Sequence, residues 1–175
     1  WHDPCREAGA QAPPFRARAK QFVLFPLRYN RYMAKEIFWK GGHTFHRLLY
    51  HIVFVPKYRR KVLHHKLVRR LTTLFYECCR MNKWYIHELA IMPDHVHMLL
   101  QLRPNTSIPK AIQYFKGGTS KIVRKEFPEL EEFLWGDSLW ADGYFIESVG
   151  RANEAIMRKY IRLQWKQEKG TSHGL

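Results

Sequence analysis

The chain has 175 residues, with 30 Lys and Arg against 15 Asp and Glu and a formal charge of +15. This length suits one domain with a single sizeable core, and the charge points to a polyanionic partner. The longest apolar run of the N-terminal part, Phe22 to Leu27, is broken by Pro26 and far shorter than the roughly 20 residues a membrane span needs.

In chain order, residues 1–32 hold Pro4, Pro13, Pro14 and Pro26 among scattered Arg and Ala without helix or strand period, and read as a tail. With Met33 shortly before the first strand, that tail is expected to be disordered or a non-native N-terminal extension, with a DNA-binding arm as the alternative. Residues 33–170 are expected to form the catalytic domain and 171–175 a short tail. His46–Tyr58 is predicted as a β-branched and aromatic strand, and Lys66–Met81 as a helix. Trp84–Met92 and His95–Arg103 form a predicted strand pair joined through Pro93-Asp94. Ile108–Glu126 follows as a helix broken or bent at Gly117-Gly118, then Tyr144–Val149 as a strand and Asn153–Lys169 as a helix. The order β-α-β-β-α-β-α predicts an α+β fold: a ferredoxin-like or RRM-like antiparallel sheet with helices on one face and a late helix able to dock over an inner strand. The cysteines form no metal pattern, since Cys5 lies in the tail and Cys78-Cys79 are adjacent on a predicted helix; core positions in a reducing cytosol are expected.

The chemistry gathers around His95-Val96-His97. Two histidines two apart on a strand project from one face, and neutral imidazoles are metal ligands. A histidine-triad hydrolase would need a third alternating histidine, but Leu99 stands there; a binuclear metallo-β-lactamase site would need an Asp-His pair just downstream, where Met98-Leu99-Leu100 offers none. Near the C-terminus, Tyr160 and Gln164 are four apart on an amphipathic helix and share a face, so a phenol and an amide oxygen can address one site. His95, His97 and the Gln164 oxygen make a mixed N/O ligand set with open positions, suited to Mg²⁺ or Mn²⁺ and to phosphate oxygens. Tyr160 is then an oxygen nucleophile beside a polarised phosphodiester, and strand cleavage through a phosphotyrosine is the implied reaction. Asp94 is expected to shape the turn and to orient a histidine as a hydrogen-bond acceptor. Basic residues interleave with aromatics at Lys57-Tyr58-Arg59-Arg60-Lys61, Lys83-Trp84-Tyr85 and Tyr114-Phe115-Lys116, as in a surface that neutralises phosphates and stacks unpaired bases.

Six segments, Tyr50 to Arg60, Met92 to Leu100, Lys116 to Ser120, Leu134 to Trp140, Tyr144 to Gly150 and Lys159 to Gln164, are collinear over residues 44–166 with a known family. They resemble the HUH-type single-tyrosine transposases of small insertion sequences that transpose as single strands. The resemblance implies that His95 and His97 are the metal-binding pair, Tyr160 the nucleophile and Gln164 the third ligand. It further implies cleavage of single-stranded DNA at element ends that carry hairpins, a 5′-phosphotyrosine with a free 3′ hydroxyl, and rejoining by reverse attack. A homodimer with the tyrosine helix acting in trans is implied too, with Gly150 as its hinge. Lys57, Arg59, Arg60 and Lys116 are candidate DNA contacts, and a cytoplasmic, nucleoid-associated location is expected. Two departures stand out: Ile161-Arg162-Leu163 where relatives often carry Ile-Glu-Asn, and Ala141-Asp142-Gly143 where Ser-Pro-Ser is common. The alternatives are a domesticated relative acting on chromosomal repeats and a non-catalytic RRM-like nucleic-acid-binding protein.

Overall fold

The computed structural model describes residues 38–134 and 138–171, with side chains through residue 164. The chain divides into two units, 1–36 and 37–175. The tail expected at 1–32, Trp135 and residues 172–175 lie outside the described residues.

Six strands and three helices are described: β1 Trp39–Lys40, β2 Phe45–His46, β3 Leu48–Phe54, α1 His65–Asn82, β4 Tyr85–Ile91, β5 Val96–Leu102, α2 Ile108–Glu126, β6 Phe145–Ser148 and α3 Glu154–Thr171. The main sheet is antiparallel in the order β4-β5-β3-β6, so β5 is an inner strand. Alternation along β3 and β5 splits the sheet residues between two faces. Ile52, Phe54, Val96, Met98, Leu100 and Leu102 join the larger core with α1 and α2. Leu49, Ala90 and Leu99 join a smaller one with Ile161 of α3. Every β5 residue is therefore buried.

Three expectations are corrected. First, the helices do not share one face: α1 and α2 cover one side of the sheet and α3 the other, because Met157 and Ile161 find apolar partners only beside Leu49, Ala90 and Leu99. Second, the strand predicted over His46–Tyr58 spans only Leu48–Phe54. His46 pairs instead with Trp39 in a small hairpin. At the other end, Pro56 has no amide to donate, and Lys57–Arg59 close a 3-10 turn with Tyr58 and Arg59 at positive φ (59° and 51°). Third, α2 runs unbroken through Gly117-Gly118. The two glycines cost roughly 1 kcal/mol each relative to alanine, but Ala111, Phe115, Thr119 and Val123 are buried along one stripe and hold the helix down.

The loop after α2 is tied to the core through Trp140, which is 1% exposed and donates its indole N–H to Thr119 Oγ1 at 2.9 Å. Cys78 and Cys79 are free and buried on α1. Burial pushes the Cys78 thiol up to about 12, which leaves almost no thiolate at neutral pH.

Candidate active site on the α3 face of the sheet

The α3 face carries a polar band across all four strands. His97 lies on β5, His51 on β3 and Glu147 on β6, while His87 and Glu88 sit at an irregularity in β4. His95 stands in the turn just before β5, where its carbonyl accepts from the Met92 amide at 2.8 Å. The His95 and His97 rings are 4.9 Å apart between centroids and nearly perpendicular at 83°.

The Nδ1 atoms of both histidines are occupied within the chain. His95 Nδ1 donates to Asp94 Oδ1 at 2.5 Å. Asp94 Oδ2 in turn accepts from Arg59 Nε at 3.0 Å. Burial raises the Asp94 pKa, but the bonds and charges of His95 and Arg59 outweigh it and hold the carboxyl below its ordinary value. His97 Nδ1 meets His51 Nε2 at 3.0 Å. Burial, and then the neighbouring His95 and His51, push the His97 pKa down to about 4, so it is a neutral imidazole at neutral pH.

Tyr160 comes from α3, which lies over these strands. Its ring is 5.5 Å from that of His97 and perpendicular to it at 89°, and 6.2 Å from that of His51. It is 43% exposed. Gln164 is half-buried one turn further along the same helix. Among the described residues no group of three His, Cys, Asp or Glu forms a metal cage. The residue types fit a hard divalent cation of open coordination: two imidazoles whose Nε2 atoms have no hydrogen-bond partner among the described residues, and an amide oxygen on the helix that packs beside them.

Charges fix α3 to the sheet. Glu154 accepts from Arg158 Nε at 2.8 Å and Nη2 at 2.6 Å, and from Arg47 Nη2. Arg158 also reaches Glu88 at 3.4 Å and donates to His87 Nδ1 at 2.6 Å; Arg162 pairs with Glu88 as well. His87 Nε2 then donates to Gln101 Oε1 at 2.7 Å. Burial above all pushes the His87 pKa down to about 4, consistent with that neutral tautomer.

The candidate DNA contacts fall in different places. Arg59 lies beside Asp94, and Arg60 is exposed next to it, so the Lys57–Arg60 turn borders the His pair. Lys57 lies over the exposed Tyr58 ring at 5.5 Å. Lys116 is not a free surface charge. Its Nζ donates to the carbonyls of Ala141, Asp142 and Gly143, the last two at 2.7 and 3.2 Å, so it clips the loop before β6. Trp84 and Phe115 are core residues. His51 and Glu147 escaped the sequence reading, although a histidine inside the apolar run Leu48 to Phe54 was a visible signal.

A histidine pair at the head of an inner antiparallel strand, with a tyrosine from the docked helix α3 beside it, is the arrangement that the resemblance to HUH-type tyrosine transposases implies. The family model for IS200-like transposases matches residues 44–164, and the chain belongs to that family. The ISDra2 transposase TnpA of Deinococcus radiodurans is 33% identical over 147 residues, covering 84% of this chain and 99% of its own. The transposase of insertion sequence IS200 from Salmonella typhimurium is 32% identical over 128 residues, 73% of this chain and 84% of the relative. A crystal structure assigned as a transposase from D. radiodurans R1 superposes with a TM-score of 0.60 at 30% identity, covering 72% of this chain and 97% of the other. A REP-associated tyrosine transposase bound to a REP hairpin shares the fold, with a TM-score of 0.52 at 13% identity over 80% of this chain and 73% of its own.

Proposed function

We propose that this transposase cleaves and rejoins single-stranded DNA at insertion-sequence ends through Tyr160. The observation that carries the reading is the Tyr160 ring set against the paired His95 and His97 imidazoles, open to solvent. The Tyr160 oxygen attacks the scissile phosphorus, and the P–O bond to the 3′ oxygen breaks. The phenolic proton passes to solvent, and the departing oxygen takes a proton to become a 3′ hydroxyl. The 5′ phosphate stays on the tyrosine, and attack by a 3′ hydroxyl reverses the step. His95, His97 and Gln164 would hold Mg²⁺ or Mn²⁺, which when bound orients the phosphate and stabilises its developing charge. Arg59 and Arg60, with Lys57, border the site and would neutralise the flanking phosphates.

The partner we propose is a single strand carrying hairpins, supported by the family and by the hairpin held by the REP-associated relative. With DNA as its proposed substrate, we propose a cytoplasmic, nucleoid-associated location; no helix among the described residues is long and apolar enough to cross a membrane. Labelled single-stranded DNA from the element ends is expected to form a covalent adduct, visible on a denaturing gel, with Mg²⁺ or Mn²⁺ and not with EDTA. Binding of the correct strand without any adduct would refute the reading and favour a binding module.

We further propose a homodimer in which the tyrosine helix can serve the partner's histidine pair, although α3 packs Tyr160 against its own His97 in the single chain. Mixing a His95→Ala chain with a Tyr160→Phe chain should restore one composite site and so recover cleavage that neither variant has alone. No recovery in a mixture shown to contain heterodimers would confine the helix to its own subunit.

A further inference from the structure

A hydrogen-bonded chain runs from the sheet edge to the metal-binding pair. Glu147 on β6 and His51 on β3 are direct cross-strand partners, and Glu147 Oε1 lies 3.0 Å from His51 Nδ1. His51 Nε2 then lies 3.0 Å from His97 Nδ1, with the two rings parallel to within 6°. The His51 side chain is 6% exposed, so these two contacts use both of its nitrogens away from bulk water. With Glu147 as a carboxylate and His51 as a neutral imidazole, the proton bookkeeping runs in one direction. An ionised carboxylate only accepts, so Glu147 takes the proton of His51 Nδ1. The Nε2 of neutral His51 is left as an acceptor, and His97 must donate to it from Nδ1. The His97 lone pair then sits on Nε2, on the far side of the ring from His51.

We propose that His51 and Glu147 are positioning residues that lock His97 in its Nδ1–H tautomer and present Nε2 to the divalent cation. Asp94 does the same for His95 in a single step. The pair thus receives matched tautomers from two separate acceptors, one on the turn before β5 and one reached across β3 from β6. Carboxylate or carbonyl partners of this kind set ligand orientation and raise ligand basicity at metal sites. This inference rests on the reading of His97 as a metal ligand.

The test measures Mn²⁺ binding to the full-length protein by electron paramagnetic resonance of the free ion, without reference to cleavage. His51→Ala is expected to weaken Mn²⁺ binding by about 10- to 100-fold. His51→Gln, whose amide oxygen can accept from His97 Nδ1, should recover much of the loss. Glu147→Ala, at a half-exposed edge position that should not disturb folding, is expected to weaken binding in the same direction by a smaller factor. Nitrogen-15 shifts of the His97 ring in the unsubstituted, metal-free protein give an independent readout, expected to show a protonated Nδ1 and a bare Nε2. The inference is overturned if Nε2 carries the proton. It is overturned equally if His97→Ala loses Mn²⁺ while His51→Ala and Glu147→Ala stay within about twofold of the parent. If the parent and His97→Ala bind no Mn²⁺ alike, the metal reading itself fails, and the inference with it.

Discussion

Tyr160→Phe is expected to abolish the covalent protein–DNA adduct and to lower strand cleavage by about 10⁴-fold or more, while binding of the hairpin strand persists. The substitution removes one oxygen and leaves the ring, whose perpendicular contacts with His97 and His51 do not involve that oxygen. α3 should therefore stay docked and the DNA surface stay intact. Loss of a nucleophile cannot be compensated by positioning or electrostatics, because no other oxygen stands at the reacting phosphorus in the proposed mechanism. Residual cutting that yields free ends without an adduct would point to water as the attacking group and overturn the phosphotyrosine.

Glu154→Ala is expected to cost about 3 kcal/mol, the range for removing one member of a buried ion pair, and to lower Tm by roughly 6–12 °C in a chain of this size. Glu154 joins Arg158 and Arg47, and the Arg47 side chain is 6% exposed, so the truncation leaves a buried guanidinium without its carboxylate. It also removes an anchor at the first turn of α3, so cleavage should fall with the docked fraction of Tyr160. Glu154→Gln, which retains one acceptor oxygen, should lose less. The pH dependence follows from the sign of the shift. Burial raises the Glu154 pKa, but the bonds from Arg158 and Arg47 outweigh it and hold the carboxyl below its ordinary 4.5. A lowered folded-state pKa adds stability that is fully present above about 4.5 and is lost as pH falls through the folded value. Thermal melts of the parent and Glu154→Gln should therefore converge on acidification. A gap that held constant down to acidic pH would remove the charge from the explanation.

Strand alternation predicts His95 and His97 on one face, but β5 starts at Val96 and His95 stands in the turn before it, so the two rings meet through that turn; the four-residue step puts Tyr160 and Gln164 on one side of α3. What periodicity leaves open is partner choice. The stripe of Met157 and Ile161 marks a buried side of α3 without saying which face of the sheet receives it, and only the apolar patch of Leu49, Ala90 and Leu99 decides. His51 and Glu147 lie 96 positions apart and meet through the β3–β6 register, which no local pattern specifies. Lys116 shows the opposite failure. A lysine among aromatics and glycines reads as a phosphate ligand, but three loop carbonyls from residues 141–143 take up its protons first. Those residues include the Ala141-Asp142-Gly143 departure from the common family pattern, so this loop is held by backbone oxygens rather than by its side chains.

The two cores are very unequal. On one side α1 and α2 share a continuous apolar interior with the sheet; on the other, among the described side chains, α3 packs Ile161 and Met157 beside Leu49, Ala90 and Leu99 and adds arginine pairs to Glu88. Apolar burial resists salt, and among the pairs that hold α3 only the exposed guanidinium of Arg162 is open to screening by it. α3 is thus the less deeply packed layer of the fold, held by a small apolar patch and by charges, while the α1–α2 side carries the larger core.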